Sequence, residues 1–526
     1  MNKFVSKWAL GRSKVTMLFF ILVLVVIVVL IYIYFHNAYK YWKKLRVPQL
    51  NPQFPFGDMA GVIFRKQNMG DRIKQIYLNE RNKGHDFVGL YFFSRKAFLP
   101  LDPILIKNIL GRDFQYFSDR GIYYDEENDP LSAHLFSIAG TKWKHLRSKL
   151  TPAYSPVKLK GMFDIILKCG DQMADLIKEV AMDKGELEIK EVLARYSTDV
   201  IGCCAFGLDC NTMRDPEAEF RKMGKRAFTQ TIGDVIKMII IRSFPFLAKL
   251  LRIGVFSAKV KKFFQRIVKD TMDYREVNGI ERKDFLQLLI ELRRNGIIAE
   301  DDKSQVNIDP GKTLTTDEAA AQAFIFFLAG FETTSTTISF ALFEMACNQE
   351  IQAKARQEVL EVLSKHGDQP TYEGLLGMKY LDMVIYETLR KYPPAPVFLR
   401  KCTKRYLIPK TNSYIEEGQS VLIPCLGLHR DPDFFPNPED FDPERFSDEN
   451  KLQIVDGSYI PFGSGPRNCL GMRFAMVQAK IALTLSLMNF KFELSERTIL
   501  PLKMETKGII LSPIGGLWIK FTPRNI

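Results

Sequence analysis

The sequence predicts a mainly α-helical protein with small peripheral β-sheets, preceded by one N-terminal transmembrane helix. Three observations predict it. Segments of helical periodicity follow one another at about 142–150, 158–183, 187–206, 216–240, 257–275, 316–346, 350–364 and 379–391. β-like runs are short, near 87–93, 397–408, 413–423 and 507–521, each bounded by Gly and Pro. Helices in long succession with few strands belong to the helical layer architectures. Finally, Val15–Phe35 carries no charge and is long enough to cross a bilayer as a helix.

Each element has its own warrant. A cleaved signal peptide would have a shorter apolar run and a small-residue cleavage site, whereas Val15–Phe35 runs into Asn37-Ala38-Tyr39-Lys40 and Trp42. Tyr32, Tyr34, Tyr39, Tyr41 and Trp42 suit an interfacial aromatic belt. Lys3, Lys7, Arg12 and Lys14 precede the span, and Lys40, Lys43, Lys44 and Arg46 follow it, so charge leaves orientation open. Pro48, Pro52, Pro55 and Gly57 cannot continue the helix and predict a semi-rigid spacer. The stretch Lys237–Ile253 is apolar with scattered basic residues, and reads either as core or as a second surface dipping into the membrane. The segment Ile297–Lys312 is polar and predicts a surface loop, ending at the helix start Thr315-Thr316-Asp317-Glu318.

Composition narrows the functional classes. The net charge of +14 favours acidic protein partners or anionic lipid. Nucleic acid fits poorly, because the basic residues are dispersed and no binding motif gathers them. Eight cysteines without a CxxC pair and only six histidines exclude zinc-finger spacing and a dithiol redox motif. Few, irregularly placed cysteines in a large chain indicate a reducing compartment. The absence of any Asn-x-Ser/Thr sequon agrees with a main domain outside the secretory lumen.

Phe462-Gly463-Ser464-Gly465-Pro466-Arg467-Asn468-Cys469-Leu470-Gly471 carries the strongest chemistry. Two glycines and a proline permit a tight turn that brings backbone N–H groups near the sulfur. A cysteine entering the helical run Met472–Met488 is expected to have a lowered pKa and to favour thiolate. Thiolate suits iron, and Arg467 can pair with an anionic cofactor edge. Trp143 and Arg147 are spaced i,i+4 and share a helix face. Ala329-Gly330-Phe331-Glu332-Thr333-Thr334 places a glycine inside an apolar helix, where it is expected to leave room for a small ligand.

Together these residues resemble the cytochrome P-450 haem-thiolate monooxygenases. Phe462 to Gly471 matches FxxGxRxCxG, Trp143 and Arg147 resemble WxxxR, and 329–334 resembles the oxygen-binding motif of the long central helix. Glu387 and Arg390 match ExxR, and Pro443-Glu444-Arg445-Phe446 matches PERF. The anchor, the phrase 199–207 and Asp284-Phe285-Leu286 are most similar to insect microsomal enzymes of the family-six type. The resemblance covers nearly the whole chain and implies the cytochrome P-450 fold, with an anchor at 1–36, a basic, proline-rich hinge at 37–57 and a haem-thiolate catalytic domain at 58–526. It implies haem b (iron protoporphyrin IX) with Cys469 as iron ligand, held by Arg467, Trp143, Arg147, Arg400 and Phe462. Thr333 and Glu332, with water, would deliver the protons used in O₂ activation. Glu387, Arg390 and Arg445 would form a buried ion network.

The implied reaction inserts one oxygen atom into a lipophilic substrate, such as a plant toxin, an insecticide or an endogenous lipid. Electrons would come from NADPH through a flavoprotein reductase, with cytochrome b5 as a further donor, since the chain has no flavin or NADP fingerprint. Lys142, Lys144 and Lys149 are expected to belong to the docking surface. Pocket walls are expected at the 121–138 loop, Phe324–Ala329, Ala395–Phe398 and Ile509–Ile514. The implied location is the endoplasmic reticulum membrane, with the catalytic domain cytosolic. Two rivals remain from the residues alone: a haem-thiolate isomerase or dehydratase, and a non-catalytic haem- or lipid-binding membrane protein. Loss of the Glu332–Thr333 pair would favour the isomerase, and the chain keeps it.

Overall fold

The computed structural model describes residues 2–228, 231–243, 245–296, 313–508 and 510–524. The predicted loop at 297–312 and the wall residue Ile509 lie outside them. Helix Asn2–Ala38 contains the apolar run, and the Met17–Tyr34 side chains face outward, with no part of its most apolar window buried in protein. It is long and apolar enough to cross a membrane.

The main core surrounds the helix Thr316–Cys347. Thr315 and Glu318 close a capping box at its start, which satisfies two otherwise unpaired backbone N–H groups. From there the helix is unbroken, and every side chain from Thr334 to Ala346 is buried because neighbours cover it on all sides. Those neighbours are helices Ile189–Ile201, Ala258–Asn278, Lys379–Lys391 and Met472–Asn489. Gly330 serves this packing. A Cβ there would meet Ile201 Cδ1 at 2.7 Å, so the small residue admits helix Ile189–Ile201 rather than only leaving room for a ligand.

A second, smaller core lies under a four-stranded sheet. Its strand order is Phe87–Phe92, Arg95–Pro100, Ser420–Ile423, Phe398–Lys401. Antiparallel pairing sets Arg400 opposite Val421 and turns its side chain inward. Trp42, expected at the membrane interface, is instead fully buried beneath this sheet. Its indole N–H donates to the Leu90 carbonyl at 3.2 Å, and the space for its ring is the missing side chain of Gly89.

The ambiguous stretch Lys237–Ile253 lies in helices Ile232–Ser243 and Pro245–Leu250 and the turn that follows them. Ile241 and Ala248 point inward, while Phe246, Leu250 and Leu251 are exposed by 82%, 66% and 58%. Neither reading alone describes it, since one edge is core and the other an open apolar face.

Candidate haem-thiolate site

The loop before helix Met472–Asn489 is built by its glycines. Gly463 and Gly465 adopt φ of +72° and +70°, and a Cβ on Gly465 would meet the Leu110 carbonyl oxygen at 1.8 Å. The Cys469 N–H donates to the Phe462 carbonyl at 2.8 Å and closes the loop. Phe462 itself is half-buried. Cys469 lies deep inside the protein, yet its own surface is open. Burial pushes its thiol up, contrary to the lowering expected from the helix start. The Gly471 N–H and the charges of Arg147 and Arg120 pull the other way. The helix begins only at Met472, with Gly471 as cap, so its dipole reaches the sulfur mainly through that one amide.

Four arginines converge here. Arg467 is buried and donates to the carbonyls of Ser118 (2.7 Å) and Ile138 (2.9 Å). Its guanidinium lies over the Trp143 ring, 4.1 Å from the centroid, so Trp143 supports the arginine as a cation–π partner. Arg147 grips the loop, donating to the backbone oxygen of Asn468 at 2.9 Å and its side-chain oxygen at 2.8 Å. Arg400 is buried, and the only hydrogen-bond partner of its guanidinium among the described residues is the Leu399 carbonyl. Arg120 is the fourth, and sequence reasoning misses it. It lies over the Phe136 ring at 4.1 Å and donates to the Arg467 carbonyl at 3.1 Å. No motif marks it; the only signal is its place at the edge of the 121–138 loop.

Burial, together with repulsion from Arg400, Arg467 and Arg147, holds Arg120 well below the usual arginine range. Arg400 falls to about 10 through burial, and Arg467 to about 9 through burial and its like-charged neighbours. A guanidinium does not give up its proton in a protein, so these shifts reflect the cost of burying positive charge, which Asp119 at 3.6 Å from Arg467 offsets only in part. Arg400 Nε and Arg467 Nη1 are buried without a hydrogen-bond partner among the described residues. Donors and charge of this kind fit the two carboxylates of haem b, with the Cys469 thiolate as a third negative charge.

On the central helix, Ala329 has an exposed surface between the half-buried Leu328 and Gly330, and the Thr333 hydroxyl donates to the Ala329 carbonyl at 2.5 Å. The Glu332 carboxylate is engaged by Lys190 at 2.7 Å, and Lys190 also reaches Ser512 at 3.0 Å. Phe324 and Phe327, expected as pocket walls, are fully buried against Phe264 at 4.8 and 5.4 Å. They are core; the open part of that run falls on Ala329.

Behind the loop, Glu387 and Arg390 are both fully buried, which excludes an exposed helical pair. Arg445 approaches Glu387 at 3.4 Å and completes the triad. His429 joins it to the cysteine loop by accepting the Ile460 N–H at 2.9 Å. Burial lowers His429 to about 3, so the ring is neutral and free to accept. A second cysteine, Cys425, packs beside His429; it is fully buried and its thiol is pushed far up by burial. It lacks the open surface of Cys469. Of the three lysines expected at a docking surface, Lys149 is buried, whereas Lys142 and Lys144 are exposed and Lys142 pairs with Glu126 at 2.6 Å.

A thiol with an open face inside an arginine cluster has the chemistry that the protein half of a haem-thiolate centre requires. The cytochrome P450 family model matches residues 52–520, and the chain belongs to that family. It is similar to cytochrome P450 6a2 of Drosophila melanogaster, 41% identical over 494 residues that cover 92% of this chain and 96% of the relative. Cytochrome P450 6k1 of Blattella germanica is 39% identical over 490 residues, covering 92% and 93%. The protein is therefore a P450 monooxygenase of the family-six type, with a cysteine-ligated haem as its cofactor.

Proposed function

We propose that this enzyme inserts one atom of O₂ into lipophilic xenobiotics or endogenous lipids, with Cys469 as the iron ligand. The observation that carries the assignment is the arginine cluster around Cys469, with Arg400 Nε and Arg467 Nη1 unpaired among the described residues. When bound, haem supplies the activation of O₂. The protein does the rest. Arg120, Arg147, Arg400 and Arg467 would hold the propionates, Trp143 and Phe462 support the arginines and the loop, and the Gly471 N–H tempers the sulfur. Thr333 and Glu332 hold protons at the face of the central helix, with Lys190 orienting the carboxylate. Apolar surfaces around Ala329 receive the substrate.

Electrons come from an NADPH-dependent flavoprotein reductase, and from cytochrome b5, docking on a face that includes Lys142 and Lys144. The span Thr16–Lys44 anchors the chain in the endoplasmic reticulum membrane, and the exposed Phe246, Leu250 and Leu251 beside Lys249 and Arg252 support a second membrane contact. The deciding experiment compares Cys469→Ser with Cys425→Ser. The first should lose the thiolate-ligated absorption signature and all NADPH- and reductase-driven product from a lipophilic probe. The second should keep both. The reverse result would transfer the ligand role to Cys425.

A further inference from the structure

A polar cleft of about 810 Å³ opens between residues 49–61 and the helix Met69–Arg81, away from the haem site. Its position relative to the anchor is fixed by direct contacts. Tyr39, the first residue after helix Asn2–Ala38, accepts the Gly57 N–H at 3.1 Å and donates to the Gln53 carbonyl at 3.4 Å. Both Gln53 and Gly57 line the cleft. Phe54, between them, packs on Tyr32 and Phe35 of the anchor at 5.5 and 5.3 Å. Tyr34 also meets Ser94 at 3.3 Å. The wall of the cleft is thus attached to the last turns of the membrane helix. Phe54, Phe64 and Phe93 around it are partly exposed, by 44%, 57% and 39%, a pattern that suits the interfacial zone.

The charges inside are unevenly used. Glu80 is taken by Lys83 at 2.7 Å and His85 at 2.9 Å, and Asp58 is buried and accepts the Tyr91 N–H at 2.7 Å. Arg72 spends Nε on the Asp58 carbonyl and Nη1 on Gln75. Lys66 has no ion-pair partner among the described residues, and it lines the same wall. The acidic groups are engaged, while an ammonium and part of a guanidinium are available. A choline or amine headgroup finds no open carboxylate here; a phosphate finds cations and the side-chain amides of Gln67, Asn79 and Asn82.

We propose that this cleft binds the phosphodiester headgroup of an anionic glycerophospholipid of the surrounding bilayer, through Lys66 and Arg72. The inference rests on the reading of the N-terminal helix as a membrane span. The bound lipid would pin the sheet strands Phe87–Phe92 and Arg95–Pro100 to the membrane surface and so set the tilt of the catalytic domain.

The test uses the full chain in lipid nanodiscs containing a phosphatidylglycerol analogue with a photoreactive headgroup. Labelling should map to residues 49–83. It should fall about five-fold in Lys66→Ala, the effect of one lysine at a membrane surface, and recover in Lys66→Arg. Lys66 is exposed and bonds only through its backbone among the described residues, so the variant folds normally. Excess phosphatidylcholine should compete poorly. Soluble glycerol phosphate that abolishes labelling at millimolar concentration would show a free-phosphate site and overturn the proposal. So would labelling elsewhere, or labelling indifferent to Lys66, in a protein that resists alkaline extraction from membranes. Failure to resist that extraction would instead refute the anchor itself.

Discussion

Arg390→Ala is the perturbation whose consequence is most completely written in the geometry. The guanidinium has five N–H donors, and all five are used. Nε donates to Glu387 Oε2 at 2.7 Å; Nη2 donates to Glu387 Oε1 at 2.8 Å and to the Asp440 carbonyl at 2.9 Å. Nη1 donates to the carbonyls of His429 at 3.0 Å and Pro438 at 2.9 Å. Alanine strands a buried carboxylate and the carbonyls of His429 and Asp440, and leaves Pro438 only Arg430 at 3.4 Å. Glu387 keeps only the Asp442 N–H at 2.9 Å and Arg445 at 3.4 Å. Removing one partner of such a pair costs about 3–5 kcal/mol, chiefly because the other charge stays buried. The damage should also spread along the chain. His429 accepts the Ile460 N–H, and the Ile460 carbonyl accepts the Gly463 N–H at 2.9 Å, so a loosened His429 frees the turn that leads to Cys469. Denaturant unfolding of the holoenzyme should give the stated loss, and haem retention should fall before helical structure does. Glu387→Ala combined with Arg390→Ala should cost much less than the sum of the single variants, since the stranded charge is then gone. A loss below about 1 kcal/mol in Arg390→Ala with full haem retention would match an exposed ion pair and refute the reasoning.

The remaining outcomes each rest on a named contact or a buried ring. Glu332→Gln should lower NADPH-driven turnover by about 10²-fold, the usual worth of a positioned proton donor, and leave the haem spectrum unchanged. Lys190→Met, which frees the Glu332 carboxylate from its 2.7 Å partner, should alter turnover and not haem content; equal loss of both would make Lys190 purely structural. His134 and His429 are each lowered by burial to about 3, so between pH 6.5 and 3 the unfolded chain takes up protons that the folded chain refuses. Stability should then drop as pH falls through this window, by about 1.4 kcal/mol per unit for each histidine. Asp58, raised to about 6 by burial, works in the opposite sense between pH 6 and 3.8. Unfolding free energies measured across this range should be flatter in His429→Gln by one histidine's share. Trp42→Ala should cost about 3–5 kcal/mol in chemical denaturation, because the ring is fully buried under the sheet; an interfacial tryptophan would cost far less.

The parts of this molecule legible in sequence are those that depend on short stretches of chain. The turn around Gly463 and Gly465 needs residues that tolerate positive φ, so its glycines announce it, and Glu387 and Arg390 meet because helical spacing puts them together. The helix from Thr316 is legible for the same reason, through its capping box. Contacts between distant segments are not. Arg120 joins the arginine cluster only because the chain returns beside Arg467, and Lys190 reaches Glu332 across two packed helices. Trp42 reads as interfacial because aromatic residues near a span usually are, but only the tertiary fold reveals that Gly89 makes room for it. Lys149 reads like its lysine neighbours, and only the packing of its helix turns it inward.

The same distinction separates the reaction from the substrate. Cofactor binding, as proposed, rests on a local loop and a charge cluster, and both constrain residue type strongly: a glycine where φ is positive, an arginine where buried anions must be held. On the proposed function, substrate choice rests on which apolar surfaces face Ala329, and many side chains satisfy that condition equally well. Phe324 and Phe327 illustrate the point, since they have the composition of a pocket wall and the packing of a core. Composition alone cannot orient a helix face. The exposure of Ala329 between the half-buried Leu328 and Gly330 does, and on the proposed function it makes Ala329 the position where added bulk bears on which substrates are accepted before it bears on haem binding.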